Sequence, residues 1–268
     1  MKLKPKTVII IIFILGILGF LIYISPPQTY NPPVDHTTGN KAAIIDHLSI
    51  SQPNQAFVEN ATAILEEAGY EVYYFEGEQV TVDFYRNLPA QDFSFIVFRV
   101  HSTGVSTVEE VDLDWVVLFT SEPYGDLKYL YPEQTNAELV YVMFTTEDSQ
   151  KYFGITPLFV KNRMNGNFND TAIIVMGCDG LRYYSMAEAF EERGAKVYIS
   201  WTGPVMADHT DTGTLHLLNQ LLLHRVPVSE AIIDTRNKVG PDPIYESQIM
   251  FYPITATQYT IPKPSKHE

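Results

Sequence analysis

The chain has 268 residues, of which 46% are hydrophobic, 18 are Lys or Arg and 32 are Asp or Glu, giving a formal net charge of −14. The apolar share excludes a disordered chain, because enough surface can be buried to offset chain entropy. The acidic balance argues against nucleic acid as a partner, since phosphates require a basic surface. The one cysteine excludes a disulfide framework and a cysteine-rich zinc site.

The N-terminal segment has the composition of a membrane anchor. Lys2, Lys4 and Lys6 lie in a basic tip at residues 1–6, and residues 7–24 form an uncharged apolar run. A helix of that length spans about 27 Å, close to the thickness of the hydrocarbon core. No small-residue cleavage site follows, which favours an uncleaved anchor over a signal peptide. We therefore predict a single-pass protein of the cell membrane, in which residues 7–24 contact the lipid bilayer. The lysines before the span predict a cytoplasmic N-terminus and an extracytoplasmic main domain.

Residues 25–41 predict an extended linker, because they contain four prolines and no apolar periodicity. Three of the basic residues and none of the acidic ones lie before this linker, so residues 25–268 carry a net charge of −17. Asn60 and Asn169 each begin an N-x-[ST] sequence and are candidate glycosylation sites on the extracytoplasmic side.

Beyond the linker, short apolar runs alternate with helical patterns. This alternation predicts an α/β domain over residues 42–262, with a parallel sheet and helices on both faces. The predicted strands are 42–47, 71–75, 93–100, 172–176 and 196–200. The predicted helices are 54–68, a short one at 81–88, 181–192, 210–224 and 228–237.

Residues 105–156 interrupt this rhythm. The segments 113–120 and 139–144 predict a β-hairpin insertion between the third and fourth strands. Near the C-terminus, residues 248–261 alternate in polarity and predict an edge strand, whose pairing Pro253 limits.

Chemically active side chains follow the predicted strands, and the carboxyl ends of parallel strands are where sites form. His101 follows the third strand and Cys178, the one cysteine, follows the fourth. An imidazole within reach can activate a thiol as a nucleophile. Gly177 beside the cysteine allows a sharp turn that brings backbone N–H groups near a substrate carbonyl. The alternative is that Cys178 is a small buried hydrophobe.

The stretch AIIVMGCDGL, a following helix, and ERGAKVYISWTGPV resemble the caspase–legumain–gingipain fold of the clan CD cysteine peptidases, nearest to gingipain and CHAT-type domains. The resemblance covers residues 42–104 and 170–238. It implies a three-layer caspase-like domain with a flavodoxin-like strand order.

The resemblance also implies roles for individual residues. His101 would be the general acid/base and Cys178 the nucleophile of a cysteine endopeptidase that hydrolyses peptide or protein substrates, with no cofactor and no metal. The backbone N–H of Gly104 would stabilise the oxyanion. In the family this glycine follows the histidine directly, whereas here Ser102 and Thr103 intervene.

Candidate pocket residues near this edge are acidic or aromatic. Asp46, Asp208 and Asp211 could receive a basic substrate side chain, with Trp201 as a pocket wall, which predicts cleavage after Lys or Arg. Asp179 also borders this pocket, and its charge beside Cys178 disfavours the thiolate.

Two alternatives remain open. Asp208, His209 and Asp211 together with His101 offer metal ligands, but we prefer the simpler interpretation that Thr210 or Asp211 opens a helix. The second alternative is a catalytically inactive caspase-like ectodomain that serves as a binding or scaffold module, with tyrosines of the insertion as a contact surface.

Overall fold

The computed structural model describes residues 39–108, 111–144 and 150–264. The predicted membrane anchor, the basic tip and most of the predicted linker lie outside these ranges. Within them, no helix combines the length and the apolar composition that crossing a bilayer requires.

The described ranges contain ten strands and six α-helices. The strands are β1 (Lys41–Asp46), β2 (Glu71–Glu76), β3 (Phe95–Arg99), β4 (Ser102–Val108), β5 (Val111–Pro123), β6 (Leu139–Val142), β7 (Tyr152–Ile155), β8 (Ala172–Val175), β9 (Val197–Trp201) and β10 (Ile249–Tyr252). The helices are α1 (Gln55–Glu67), α2 (Val82–Asn87), α3 (Pro157–Arg163), α4 (Ser185–Glu192), α5 (Ala207–Leu218) and α6 (Val228–Val239).

The central sheet has the order β10-β9-β8-β3-β1-β2 among the described residues. Five of its strands are parallel, and β10 pairs antiparallel with β9 at the edge. The parallel strands follow the flavodoxin-like order 2-1-3-4-5 in their sequence numbering. The predicted α/β class, the five parallel strands and the edge strand near the C-terminus are therefore confirmed.

Alternating side chains of the central strands enter two separate cores, which produces three layers. Ala43 and Ile45 of β1 pack on one face with α2, α3 and α4. Ala42 and Ile44 pack on the other face with α1, α5 and α6. Because both faces are covered, β3 is buried along its whole length, as strands of parallel sheets usually are.

In the described part of the insertion, four strands form an antiparallel sheet in the order β4-β5-β7-β6, and the predicted pairing of 113–120 with 139–144 is wrong. Both segments instead pair with β7, which lies between them. Gly154 makes this possible, because a Cβ there would lie 2.6 Å from Val117 Cγ1 and 2.7 Å from Val142 Cγ1. The insertion also begins earlier than predicted, since β4 follows His101 directly.

Candidate functional site

The site lies where β3 and β8 end side by side. The two strands pair in parallel, with Phe98 opposite Val175. His101 follows the first strand and Cys178 follows the second, so both residues lie at carboxyl ends of adjoining strands. The segments that follow the two strands are in contact there, because the side chain of Ser102 donates a hydrogen bond of 2.6 Å from its Oγ to the carbonyl of Cys178.

Gly177 allows these two chain segments to approach each other. A Cβ at this position would lie 2.5 Å from the carbonyl oxygen of Val100 and would also overlap the hydroxyl of Ser102. The glycine therefore shapes the junction between the two strand ends by its lack of a side chain.

The substitution Gly177→Ala is expected to destabilise the protein by about 1–3 kcal/mol, because the added methyl group overpacks this junction. Urea unfolding of the full chain measures the change. Gly125→Ala is the matched control, since a Cβ at Gly125 would meet only Lys128 Cβ at 3.6 Å. Equal stability of the two variants would contradict the assigned close approach.

The imidazole of His101 contacts the segment that follows β1. Its Nε2 lies 3.1 Å from Ser51 Oγ, within hydrogen-bond distance. Its ring centroid lies 5.1 Å from that of Phe144 and 5.7 Å from that of His47. Burial, followed by the charge of Arg99, lowers the pKa of His101 to about 4. The ring is therefore neutral at pH 7 and can accept a proton.

His47 is fully buried directly after β1. Burial, followed by the neighbouring His101, lowers the pKa of His47 to about 3 from an ordinary 6.5. At a pH between these two values the unfolded chain binds a proton that the folded chain does not bind. The contribution of His47 to stability therefore falls as the pH drops below about 6.5.

We expect His47→Phe to make the protein less sensitive to acid. For a histidine that stays neutral in the fold, protonation of the unfolded chain costs about 2–3 kcal/mol at pH 4.5. The difference in unfolding free energy between about pH 7 and pH 4.5 should shrink by about that amount in the variant. Urea unfolding at both pH values measures it, with the exposed His224→Phe as the matched control. An unchanged difference would refute the assignment.

Among the residues that the structure describes, the Cys178 thiol makes hydrogen bonds with the backbone of Val205 and not with His101. Its Sγ donates to the carbonyl of Val205 at 3.7 Å and accepts from the Val205 N–H at 3.5 Å. Burial raises the pKa of the thiol, and the charges of Asp179 and Asp242 raise it further. Cys178 is therefore a thiol at neutral pH. Within the described residues, no hydrogen bond joins the side chains of His101 and Cys178.

Gly104 does not present a free N–H to a substrate in this structure. Its N–H donates to Asp179 Oδ2 at 3.2 Å. The other oxygen of the same carboxylate lies 3.4 Å from Arg182 Nη1. Asp179 has a left-handed backbone with φ of 59°, and its negative charge lies between the Gly104 N–H and Arg182.

Sequence reasoning missed a buried ion-pair cluster around Arg99. The guanidinium lies 2.9 Å from Asp46 Oδ1 and 2.8 Å from Asp211 Oδ1, and its Nη2 also donates to the carbonyl of Gln52. The side chains of Arg99 and Asp46 are each 1% exposed. The signal in the sequence was a single charge at the end of an otherwise apolar strand, which must have a buried partner.

The cluster changes the interpretation of the predicted pocket. Asp46 and Asp211 already have Arg99 as an internal cationic partner. Trp201 is 1% exposed, and its indole N–H donates to Thr210 Oγ1 at 2.8 Å inside the core. Asp208 is the exposed member of the set and lies in the first turn of α5. These four residues are therefore spread between the core, the Arg99 cluster and the surface.

The residues of the alternative metal site do not converge. Asp211 pairs with Arg99, whereas His209 Nε2 lies 3.3 Å from the carbonyl of Gly240. No group of three or more His, Cys, Asp or Glu in the described ranges is placed to hold a metal ion. The predicted helix opening at Thr210 is also wrong, because α5 begins at Ala207.

The two candidate glycosylation sites differ in their surroundings. Asn60 is exposed on α1, where its Nδ2 donates to the carbonyl of Ala56. Asn169 is partly buried, and its Nδ2 donates to Asp92 Oδ1 at 2.8 Å. Asn60 is thus the more accessible acceptor of the two.

No protein-family model matches this chain, and no curated protein matches its sequence. The function is therefore argued from the chemistry of the strand-end site itself.

Proposed function

We propose that this chain is a membrane-anchored, extracytoplasmic cysteine peptidase that uses Cys178 as the nucleophile and His101 as the general acid/base. The observation that carries the proposal is the position of these two residues at the carboxyl ends of adjoining strands β3 and β8. The strand order of the sheet supports it too, because the resemblance to caspase-like peptidases implies a flavodoxin-like order. The membrane anchor at residues 7–24 is part of the proposal.

The proposed reaction proceeds from a neutral pair. His101 accepts the thiol proton as Cys178 Sγ attacks the carbonyl carbon of the peptide bond. His101 then gives that proton to the leaving amine as the C–N bond breaks, which leaves a thioester on Cys178. A water molecule, deprotonated by His101, attacks the thioester. The carboxylic acid leaves, and the thiol regains its proton.

Both side chains must exchange partners for this reaction. His101 has to leave the hydroxyl of Ser51, and Cys178 has to leave the backbone of Val205. His101 gives up one hydrogen bond and Cys178 gives up two, one donated and one accepted, and a bond of this kind contributes about 1 kcal/mol net. A bound peptide that supplies new hydrogen bonds can offset this cost.

The proposed preference for Lys or Arg before the cleaved bond now depends mainly on Asp208. Asp46 and Asp211 are engaged by Arg99, and opening that cluster would expose a buried guanidinium. Asp208 is exposed at the start of α5, close in sequence to Val205, which contacts the thiol.

Cleavage of an unbiased pool of synthetic peptides tests the proposed function. The full chain should generate new peptide termini that a Cys178→Ala variant does not generate. A trace of activity contaminating the preparation would appear in both samples. Product termini identical between the two proteins would refute the peptidase, and cleavage mainly after Asp would refute the preference for basic residues.

The second candidate is a caspase-like ectodomain without catalysis, which acts as a binding or scaffold module. The absence of a His101–Cys178 hydrogen bond among the described residues favours it, as does the occupation of the Gly104 N–H by Asp179. In that case, Cys178→Ala would retain every activity of the native chain, including its binding to partners.

A further inference from the structure

The carboxylate of Asp179 lies next to Cys178, between two hydrogen-bond donors that come from different parts of the chain. The Gly104 N–H belongs to β4, and Arg182 lies in the turn that begins at Cys178. They lie 3.2 Å and 3.4 Å from the two oxygens of the carboxylate. A backbone N–H and a guanidinium around one carboxylate are the donors that proteins use to bind an oxygen anion.

Gly104, Asp179 and Arg182 are packed closely together. A Cβ at Gly104 would lie 2.9 Å from Arg182 Cδ and 3.4 Å from Asp179 Cβ, so the stem of Arg182 covers this glycine. The Asp179 side chain is 9% exposed, whereas that of Arg182 is 51% exposed. The cation therefore remains accessible from solvent, while the internal carboxylate fills the space beneath it.

We propose that Gly104 and Arg182 form an anion-binding position for a carboxylate ligand, and that Asp179 is its built-in occupant. An incoming carboxylate, such as an acidic side chain or the C-terminus of a peptide, must displace Asp179 to bind. The position would exist whether or not Cys178 is catalytic, so this inference is independent of the proposed peptidase activity.

The charge of Asp179 also acts on its neighbour, because it raises the pKa of the Cys178 thiol. Removing the negative charge of Asp179 should therefore change the rate at which the thiol reacts with a negatively charged reagent relative to a neutral one. The chain has one cysteine, so alkylation at a thiol, identified by peptide mapping, reports on this single position.

The test compares iodoacetate, which carries a carboxylate, with the neutral iodoacetamide as alkylating reagents of the full chain. Asp179→Asn is the informative variant, because asparagine tolerates the left-handed backbone and lacks the charge. The ratio of the iodoacetate rate to the iodoacetamide rate should rise about tenfold, the gain expected from one charge-assisted hydrogen bond. The ratio cancels any change in thiol pKa that affects both reagents.

Two further arms identify the donors. Adding Arg182→Gln to Asp179→Asn should return the ratio to near its native value, and acetate should compete with iodoacetate more strongly than chloride does at equal ionic strength. The matched control is Asp170→Asn, which changes another aspartate with a left-handed backbone (φ of 52°) at the opposite end of β8. Its ratio should stay native.

An unchanged ratio in Asp179→Asn, or a raised ratio that Arg182→Gln does not reverse, would overturn the proposal. If Asp179→Asn does not fold, Asp179→Gly takes its place, because glycine also tolerates the left-handed backbone and leaves the position without a carboxylate, so the same rise in the ratio is expected. A native ratio in that variant would equally overturn it. A failed peptidase assay would leave these alkylation rates unaffected, so the two proposals fail separately.

Discussion

Arg99→Met is expected to lower the free energy of unfolding by about 3–5 kcal/mol, because it leaves two buried carboxylates without their cation. Asp46 and Asp211 approach the guanidinium from two different elements, β1 and α5, and Asn54 adds a further hydrogen bond to Asp211. Methionine retains most of the apolar stem. The loss of stability therefore reports on the charge and its hydrogen bonds.

The loss of stability in Arg99→Met should increase with pH. Burial already raises the pKa of Asp46 in the native chain, in spite of the opposing Arg99. Without Arg99, the folded variant holds the proton of the Asp46 carboxyl to a higher pH than the unfolded chain does. Its stability is then retained at low pH and lost as the pH rises. The penalty of Arg99→Met should accordingly be smaller at pH 5 than at pH 8.

Urea unfolding of the full chain at both pH values measures the effect. Lys161→Met is the matched control, because it removes the exposed ion pair with Glu192, for which about 1 kcal/mol or less is expected. Restoring charge balance with Asp46→Asn and Asp211→Asn in the Arg99→Met background should recover part of the loss. A penalty for Arg99→Met equal to that of Lys161→Met would refute the role of the buried cluster.

The second large effect concerns catalysis. Cys178→Ala should reduce kcat/KM for a cleaved peptide on the order of 10⁴-fold, because it removes the proposed nucleophile. His101→Ala should reduce it by about 10²–10⁴-fold through the loss of general acid–base catalysis. His224→Ala is the matched control, since His224 lies exposed at the end of the turn after α5, away from the strand-end site.

The pH profile distinguishes His101 from an ordinary histidine. In the proposed mechanism its neutral form is the active one, and burial, followed by the charge of Arg99, lowers its pKa to about 4. Activity should therefore persist through pH 6 and decline only as the pH falls toward about 4. An acid limb near 6.5, or native activity in either variant, would contradict the assigned roles.

The sequence predicted the central sheet well because its inner strands are apolar on both faces. Runs such as 93–100 and 172–176 have no polar side that could face solvent, so a covered parallel sheet is the arrangement that buries them. The insertion was harder. β7 has four residues and includes Gly154, and its pairing with β5 and β6 depends on contacts distant in the chain.

At the site, the topology rule placed the residues but not their side chains. The rule that sites lie at carboxyl ends of parallel strands predicted that His101 and Cys178 belong to one edge. The directions of the His101 and Cys178 side chains depend on their hydrogen-bond partners, Ser51 and Val205. No sequence pattern predicts these partners. The role of Arg99 was missed for a similar reason, because its partner Asp211 lies 112 residues away in the chain.

The most direct test of the proposed peptidase is to capture its covalent intermediate. The full chain is mixed with the peptide pool, quenched with acid and analysed by mass spectrometry. The proposal predicts an acyl adduct on Cys178 that hydroxylamine releases, as expected of a thioester, and that His101→Ala greatly diminishes. Peptide cleavage without any adduct on Cys178, or cleavage that persists in Cys178→Ala, would contradict it.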